Sequence, residues 1–305
     1  MASDRVQGVP SQRHPNHRPV ATLPQELQRT TVPHHVRAWV QRETGGEVSR
    51  VRRLDGASST AVHRIDLADG RSLVLRRYVW PEFLASEPEA AQREVDALGF
   101  ASAHGVPVPR LVAADTDGSQ VGDGIAVILT AFVPGRPRSL PDLRSLASVA
   151  ASVHAVDAST FAYRYYPWYE DTLDAAPAGA RDPALWESAI DIWHNRMPAY
   201  RLGFLHRDFH PGNVLWSKSG PLVVDWANSC AGPWGCDVAH CRDNLIQLGG
   251  VEAADDFLHA YLDLTDEEYD PFWEIASVLE HSTFTAERIA WSEPRLRPAV
   301  SRYGA

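Results

Sequence analysis

Asp208, Asn213 and Asp225 are the residues of this chain whose types and spacing carry the clearest chemistry. All three stand between Phe204 and Trp226, in the run Phe-Leu-His-Arg-Asp-Phe-His-Pro-Gly-Asn-Val-Leu-Trp-Ser-Lys-Ser-Gly-Pro-Leu-Val-Val-Asp-Trp. Two apolar segments, Val214-Leu215-Trp216 and Leu222-Val223-Val224, flank the turn-forming Ser217-Lys218-Ser219-Gly220, which predicts a β-hairpin with a short loop. With Trp216 paired to Pro221, Asn213 falls beside Val224 and Asp225, because antiparallel strands set the start of one against the end of the other. The Pro211-Gly212 bend can fold Asp208 back over the same end. An amide and two carboxylates then converge. Asn with Asp suits Mg²⁺, a hard cation that prefers oxygen ligands and keeps several of its waters.

The pattern His206-x-Asp208-x-x-x-x-Asn213, followed by a strand ending in Asp225, resembles the catalytic loop and metal aspartate of the kinase-like fold. Trp226-Ala227 replaces the usual Phe-Gly, and Gly232-Pro233-x-x-x-Asp237 follows; these narrow the resemblance to the aminoglycoside phosphotransferase family, from Val36 to Arg288. The resemblance implies an α+β, two-lobed fold with a smaller antiparallel β-sheet lobe and a larger, mainly helical lobe. It implies ATP or GTP between the lobes, Mg²⁺ held by Asn213 and Asp225, and Asp208 as catalytic base. The acceptor would be a small molecule with a hydroxyl group, from a family that spans aminoglycosides and other hydroxylated metabolites.

The elements that must position these residues can be read outward from the centre. Three strands are predicted at Arg50–Leu54, Thr60–Leu67 and Ser72–Val79. The joint Asp55-Gly56-Ala57-Ser58-Ser59 sits where a kinase-like fold places its phosphate-covering loop, so Gly56, Ser58 and Ser59 are candidate nucleotide contacts. On the third strand Val74 and Arg76 share one face, with Arg76 where the resemblance places a phosphate-gripping lysine; Arg77 is expected on a solvated outer face. A helix is predicted over 88–103, with Glu94 along its edge as the partner of Arg76. A buried strand follows at 125–132, and a hinge at Thr130 to Gly135 where adenine would meet main-chain groups. Further helices are expected around Val36 to Val40, after a cap at Ser139, and over 185–197, 237–248, 253–262 and 272–291, with weak pattern from Pro294 onward. The aromatic run Phe161–Trp168 reads more readily as loop packing than as the lining of an acceptor pocket. The expected division is a disordered tail over 1–33, a nucleotide-binding lobe over 34–132 and a catalytic, acceptor-binding lobe over 133–305.

The composition agrees with an enzyme of this kind. At 305 residues, 44% hydrophobic and 22% charged, the chain has ample length to bury a core. The net charge of −10 argues against a nucleic-acid partner, which would require basic patches. No apolar run approaches the ~20 residues of a membrane helix, and the three cysteines, Cys230, Cys236 and Cys241, form no disulfide framework; a cytoplasmic location is the expectation. Asp255, Asp256, Asp263, Asp266, Glu267, Glu268, Asp270, Glu274 and Glu280 lie in a stretch without lysine or arginine. If several face the cleft, a cationic acceptor is favoured. Two other readings compete. A metal hydrolase could be drawn on His206, Asp208, His210, Cys236, His240 and Cys241, although Pro211-Gly212 breaks any regular ligand spacing. A nucleotide-binding pseudokinase would keep the fold without turnover.

Overall fold

A computed structural model of the protein describes residues 29–54, 60–168, 173–280 and 284–304. The chain enters through a helix, α1 (His34–Thr44), which ends at Gly45 with a φ of 64°. Strands β1 (Val48–Arg53), β2 (Ala61–Leu67) and β3 (Ser72–Arg77) follow. Next come helices α2 (Pro81–Ser86) and α3 (Ala90–Ala103), then strands β4 (Leu111–Asp115) and β5 (Val127–Ala131). The five strands form one sheet in the order β1-β2-β3-β5-β4, antiparallel throughout.

Period-two alternation decides which face of this sheet does chemistry. Ile65, Leu67, Leu73, Leu75, Val127 and Leu129 turn to one side and pack with Val36, Trp39 and Val40 of α1. Val62, Val74 and Arg76 turn to the other side, with Val74 set between Arg64 and Thr130. The expected solvation of Arg77 is corrected here. It shares the covered face with Leu75, is 2% exposed, and donates to Asp123 Oδ2 at 2.5 Å. The end of the predicted tail is also engaged, since Val32 is buried against α1 and His63 Nε2 donates to Arg29 O at 2.9 Å.

Beyond β5 the chain crosses to the helical part. Arg136 pairs with Trp216 through backbone bonds of 3.0 and 3.2 Å. Gly135 permits that crossing, for a Cβ there would sit 3.1 Å from Leu215 Cβ and 3.3 Å from Trp216 O. The helical part comprises α4 (Leu143–His154), α5 (Pro183–Asn195), α6 (Trp234–Thr265, broken at Gly250 with φ 83° and ψ 178°), α7 (Phe272–Leu279) and α8 (Ala286–Ser301). Short strands β6 (Gly203–Leu205) and β9 (Cys230–Gly232) pair with each other, as do β7 (Val214–Ser217) and β8 (Gly220–Val223). One continuous core runs from Ala97 and Leu98 of α3 through α4 and β6 to Phe272 and Leu296.

Three boundaries differ from expectation. The cap of α4 is Asp142, whose carboxylate accepts the Ser145 N–H at 2.8 Å, rather than Ser139. The single helix expected over 272–291 is two. The weakly patterned C-terminus is helical to Ser301 despite Pro294 and Pro298, because Ile289, Leu296 and Ala299 make a buried stripe that offsets the lost backbone bonds. Among the described residues no helix is long and apolar enough to cross a membrane.

Candidate active site

The loop between β6 and β7 is set by Asp237, buried in the first turn of α6. Its carboxylate accepts the backbone N–H groups of His206 and Arg207, both at 2.7 Å, and meets His154 Nε2 at 3.2 Å. These bonds hold Arg207 at a φ of 69°, a left-handed conformation uncommon for a long side chain. Burial opposes ionisation of Asp237, but its bond to His154 and the nearby His206 keep its pKa below the usual value. His206 then fixes the next step. Its Nε2 donates to Val224 O at 2.8 Å, so its Nδ1 is the acceptor for the Asp208 N–H at 3.3 Å.

The hairpin has the register read from the sequence, with Trp216 opposite Pro221 and Val214 opposite Val223. Val224 N donates to Asn213 O at 2.9 Å, which sets Asn213 beside the residue before Asp225. Asn213 Nδ2 donates to Asp208 O at 2.9 Å and to Asp208 Oδ2 at 3.2 Å, closing the turn over the hairpin end. Gly212 leaves room in that turn for the His210 ring. A Cβ there would stand 2.6 Å from the ring of His210, whose Nδ1 accepts the Gly212 N–H at 3.0 Å.

Asp225, at a φ of 70°, receives Arg76 from across the cleft: Nη1 donates to Oδ1 at 2.5 Å. Arg76 Nε lies 3.5 Å from Glu94 Oε2, so the expected Arg76–Glu94 pair exists, but the closer partner is Asp225. Glu94 Oε2 also accepts the Tyr78 hydroxyl, and the Glu94 carboxylate accepts the backbone N–H of Trp226. Burial pushes the Glu94 carboxyl up, and Asp225 adds to the push; the Arg76 charge opposes it without prevailing. Burial disfavours the Arg76 cation, yet Asp225 and Glu94 raise its pKa further. Gly56, Ser58 and Ser59 lie outside the described residues.

One neighbour of Asp208 is not anticipated in these roles by the sequence reading. His240 Nε2 lies 3.0 Å from Asp208 Oδ1, and His210 Nε2 lies 3.9 Å from the same oxygen. Burial works against the Asp208 charge, but the hydrogen bond and charge of His240, with His210 and His206, hold its pKa well below the carboxylate range. The reciprocal holds for His240, whose pKa is raised by Asp208, Asp243 and Asp237 against the effect of burial. A usable signal exists in the sequence: His240 follows Asp237 by three positions on a helix, so the two share a face.

Beside His240 lies a cavity of about 210 Å³ lined by Trp168, Arg207, Asp243, Trp273 and Glu280 among others. Arg207 spans one side, donating to Glu280 Oε2 at 3.2 Å beneath the rings of Trp168 (4.1 Å) and Tyr165 (4.6 Å). Trp168, at the end of the aromatic run, therefore does line a cavity, while Phe161 packs on Phe204 in the core. Of the nine carboxylates of the acidic stretch, Glu280 is the one that lines this cavity among the described residues. Glu274 binds Arg242 and Arg295, Asp255 binds Arg242, and Asp263 and Glu267 face Arg144 and Arg201. Of the hydrolase ligand set, Asp208, His210 and His240 are neighbours, but Cys236 and Cys241 are buried thiols with raised pKa and His206 is turned to the hairpin backbone. Among the described residues no group of three His, Cys, Asp or Glu is arranged to hold a metal.

A five-stranded antiparallel sheet joined to a mainly helical part, with Arg76 of the sheet bonded to Asp225 at the end of a hairpin in the helical part, has the architecture of a kinase-like fold. A putative fructosamine-3-kinase from Thermobifida fusca superposes with a TM-score of 0.61 at 21% identity, over 88% of this chain and 98% of its own. A thermostable mutant of aminoglycoside phosphotransferase APH(4)-Ia gives 0.61 at 18%, over 88% and 99%. Amicoumacin kinase hAmiN, in complex with AMP-PNP, Ca²⁺ and Ami, gives 0.60 at 15%, over 87% and 93%. The profile of the phosphotransferase enzyme family matches residues 50–274, and the chain belongs to that family. The search of curated proteins returns no match.

Proposed function

We propose that the protein transfers the γ-phosphate of ATP, or of GTP, to a hydroxyl group of a small molecule, with Asp208 as the base. The observation that supports this reading is a chain of contacts: Asn213 bonds Asp208, Val224 bonds Asn213 through the backbone, and the next residue, Asp225, bonds Arg76. Asp208 is held ionised by its histidine neighbours, so it can accept a hydrogen bond from the acceptor hydroxyl and take the proton as transfer proceeds. Arg76 offers phosphate oxygens a planar fork that stays charged, and Glu94 restrains it. Val74, on the same face of the same strand as Arg76, contacts the nucleotide.

The donor set also fits Mg²⁺. Asn213 spends its amide nitrogen on Asp208, which turns its oxygen to the other side, and a carboxylate with about four acceptor positions can bind a cation besides the Arg76 contact. Asn213 and Asp225 would hold the ion, which when bound neutralises charge on the phosphate oxygens.

The acceptor side is supported by the cavity beside His240. Trp168 and Trp273 give it aromatic faces suited to the apolar side of a sugar-like ring. Proteins of the same fold are described as kinases of fructosamine and aminoglycosides, one of them with hygromycin B bound, which favours a hydroxyl-rich acceptor. An amine on that acceptor would be met by direct contact with Glu280 or Asp243. The test is a screen of purified protein with Mg-ATP or Mg-GTP against aminoglycosides, fructosamines and amino alcohols, read as ADP or GDP release with the product identified by phosphorus NMR. Retained nucleotide binding with no transfer to any acceptor or to water would overturn the kinase reading in favour of a regulator.

A further inference from the structure

His240 connects the cavity with the side chain of Asp208. It lines the cavity, which Asp208 does not, and its Nε2 sits 3.0 Å from Asp208 Oδ1. The carboxylate can only accept, so Nε2 carries the hydrogen and donates; the Asn244 amide 3.3 Å away then faces another donor and makes no bond to that nitrogen. Asn244 instead donates to His240 O at 3.0 Å, within the helix. On the other side of Asp208, Asn213 donates to Oδ2 at 3.2 Å. The carboxylate is thus held at both oxygens, once from the hairpin side and once from α6.

We propose that His240 is a positioning residue for phosphoryl transfer: from the cavity wall it holds Oδ1 of Asp208, so that an acceptor hydroxyl entering beside it meets the base in a single orientation. This rests on the kinase reading. A carboxylate held by Asn213 alone could turn about its χ angles, and misplacement of a reacting group by about 1 Å can cost on the order of 100-fold in rate. The charged and titratable groups around His240 are Asp208, His206 and His210 on the loop and Asp237 and Asp243 on its own helix. Arg207 and Glu280 lie across the cavity, with Arg288 and Arg295 behind Asp243.

Two measurements test it. The first is ADP release from Mg-ATP with water as acceptor, which does not depend on knowing the natural one. His240→Phe keeps a ring but removes the donor, and is expected to lower kcat about 10- to 100-fold with KM for ATP changed less than about twofold. His240→Gln keeps an N–H at similar reach and should recover part of the loss. In an Asp208→Asn background, His240→Phe should cost nothing further. Unchanged kcat in His240→Phe, or a loss that persists undiminished in the Asp208→Asn background, overturns the proposal. So does a loss confined to larger acceptors, which would make His240 an acceptor contact only.

The second is an NMR titration of the His240 ring in the full chain, wild type against Asp208→Asn. Its midpoint should fall when the carboxylate charge is removed, and an unmoved midpoint refutes the pair whatever the activity. If wild-type protein releases no ADP under any condition, the kinase reading fails and the transfer role with it, while the titration still reports on the contact.

Discussion

Removing Arg76 should make stability fall more steeply as pH rises, and by an amount that the site geometry sets. Arg76 is the cation between Asp225 at 2.5 Å and Glu94 at 3.5 Å, with side chains 14% exposed for Arg76 and 6% for Glu94. In Arg76→Ala, Glu94 keeps its burial and the nearby Asp225 charge, both of which already raise its pKa, and loses the charge that opposed them. A buried ion left without its partner costs about 3–5 kcal/mol, unless the group neutralises itself. Glu94 can do so by taking a proton. A carboxyl whose folded pKa lies above its unfolded one costs nothing below the unfolded value, and destabilises progressively as pH rises towards the folded value. At about 1.4 kcal/mol per pH unit for one proton, a penalty of that size is spread over roughly two to four pH units above the ordinary glutamate range.

Arg76→Ala should therefore be close to wild type in stability near pH 4.5, to the extent that the lost Asp225 contact allows, and clearly weaker by pH 8. The assay is chemical or thermal unfolding across that range for wild type, Arg76→Ala, and Arg76→Ala with Glu94→Gln. Glutamine keeps the shape but has no proton to lose, so the double variant should regain most of the stability at pH 8 and lose the pH dependence. A pH-independent loss in Arg76→Ala, or no recovery in the double variant, would refute the claim that Glu94 is the group left stranded.

The remaining predictions concern turnover and the loop. Asp208→Asn should lower transfer by at least about 100-fold while Mg-nucleotide affinity, by calorimetry, changes little; comparable turnover would remove Asp208 from the role of base. Asp225→Ala should weaken nucleotide binding with Mg²⁺ far more than without it, and equal effects in both conditions would show that it does not hold the metal. Asp237→Ala strands two backbone N–H groups and His154, and should cost about 3–5 kcal/mol of stability in a melt; a loss under about 1 kcal/mol would mean the loop is held by other contacts.

The site centre was legible because its residues are close in sequence and joined by a hairpin whose register is forced. Pairing Trp216 with Pro221 is enough to bring Asn213 to Val224, and the structure has that pairing. Arg76 was singled out by the resemblance to the family, and Glu94 followed as its partner from its place along the edge of the next long helix. What sequence reasoning missed depends on long-range approach. Arg77 looked solvated because nothing local announces that Asp123, far along the chain, folds onto its face. His240 was weighed only as a zinc ligand, since its link to Asp208 arises from the docking of α6 under the loop by way of Asp237. The helix through Pro294 and Pro298 was hidden because local propensity is overridden by packing of α8 on α5 and α7.

The acidic stretch shows why counting charges along a sequence is a poor guide to a site. Nine carboxylates without an intervening cation suggest a field that draws a cationic acceptor inward, and steering of that kind can raise association rates by about 10- to 1,000-fold at low salt. In the folded protein four of the nine meet arginines from outside the cavity lining: Arg242 and Arg295 take Glu274, Arg242 takes Asp255, Arg201 takes Glu267, and Arg144 faces Asp263. At the cavity, Glu280 faces Arg207, and Asp243 faces Arg288 and Arg295. The carboxylates at the cavity are thus paired, and such pairs have a short-ranged field, which a Debye length of about 10 Å at 0.1 M salt does little to weaken further. For an amine-bearing acceptor, kcat/KM should consequently change less than about threefold between 0.05 and 0.3 M salt, and a neutral acceptor of the same size should behave alike. A steep fall with salt for the amine alone would show that unpaired carboxylates reach the cleft after all, and would restore long-range steering as the basis of acceptor choice.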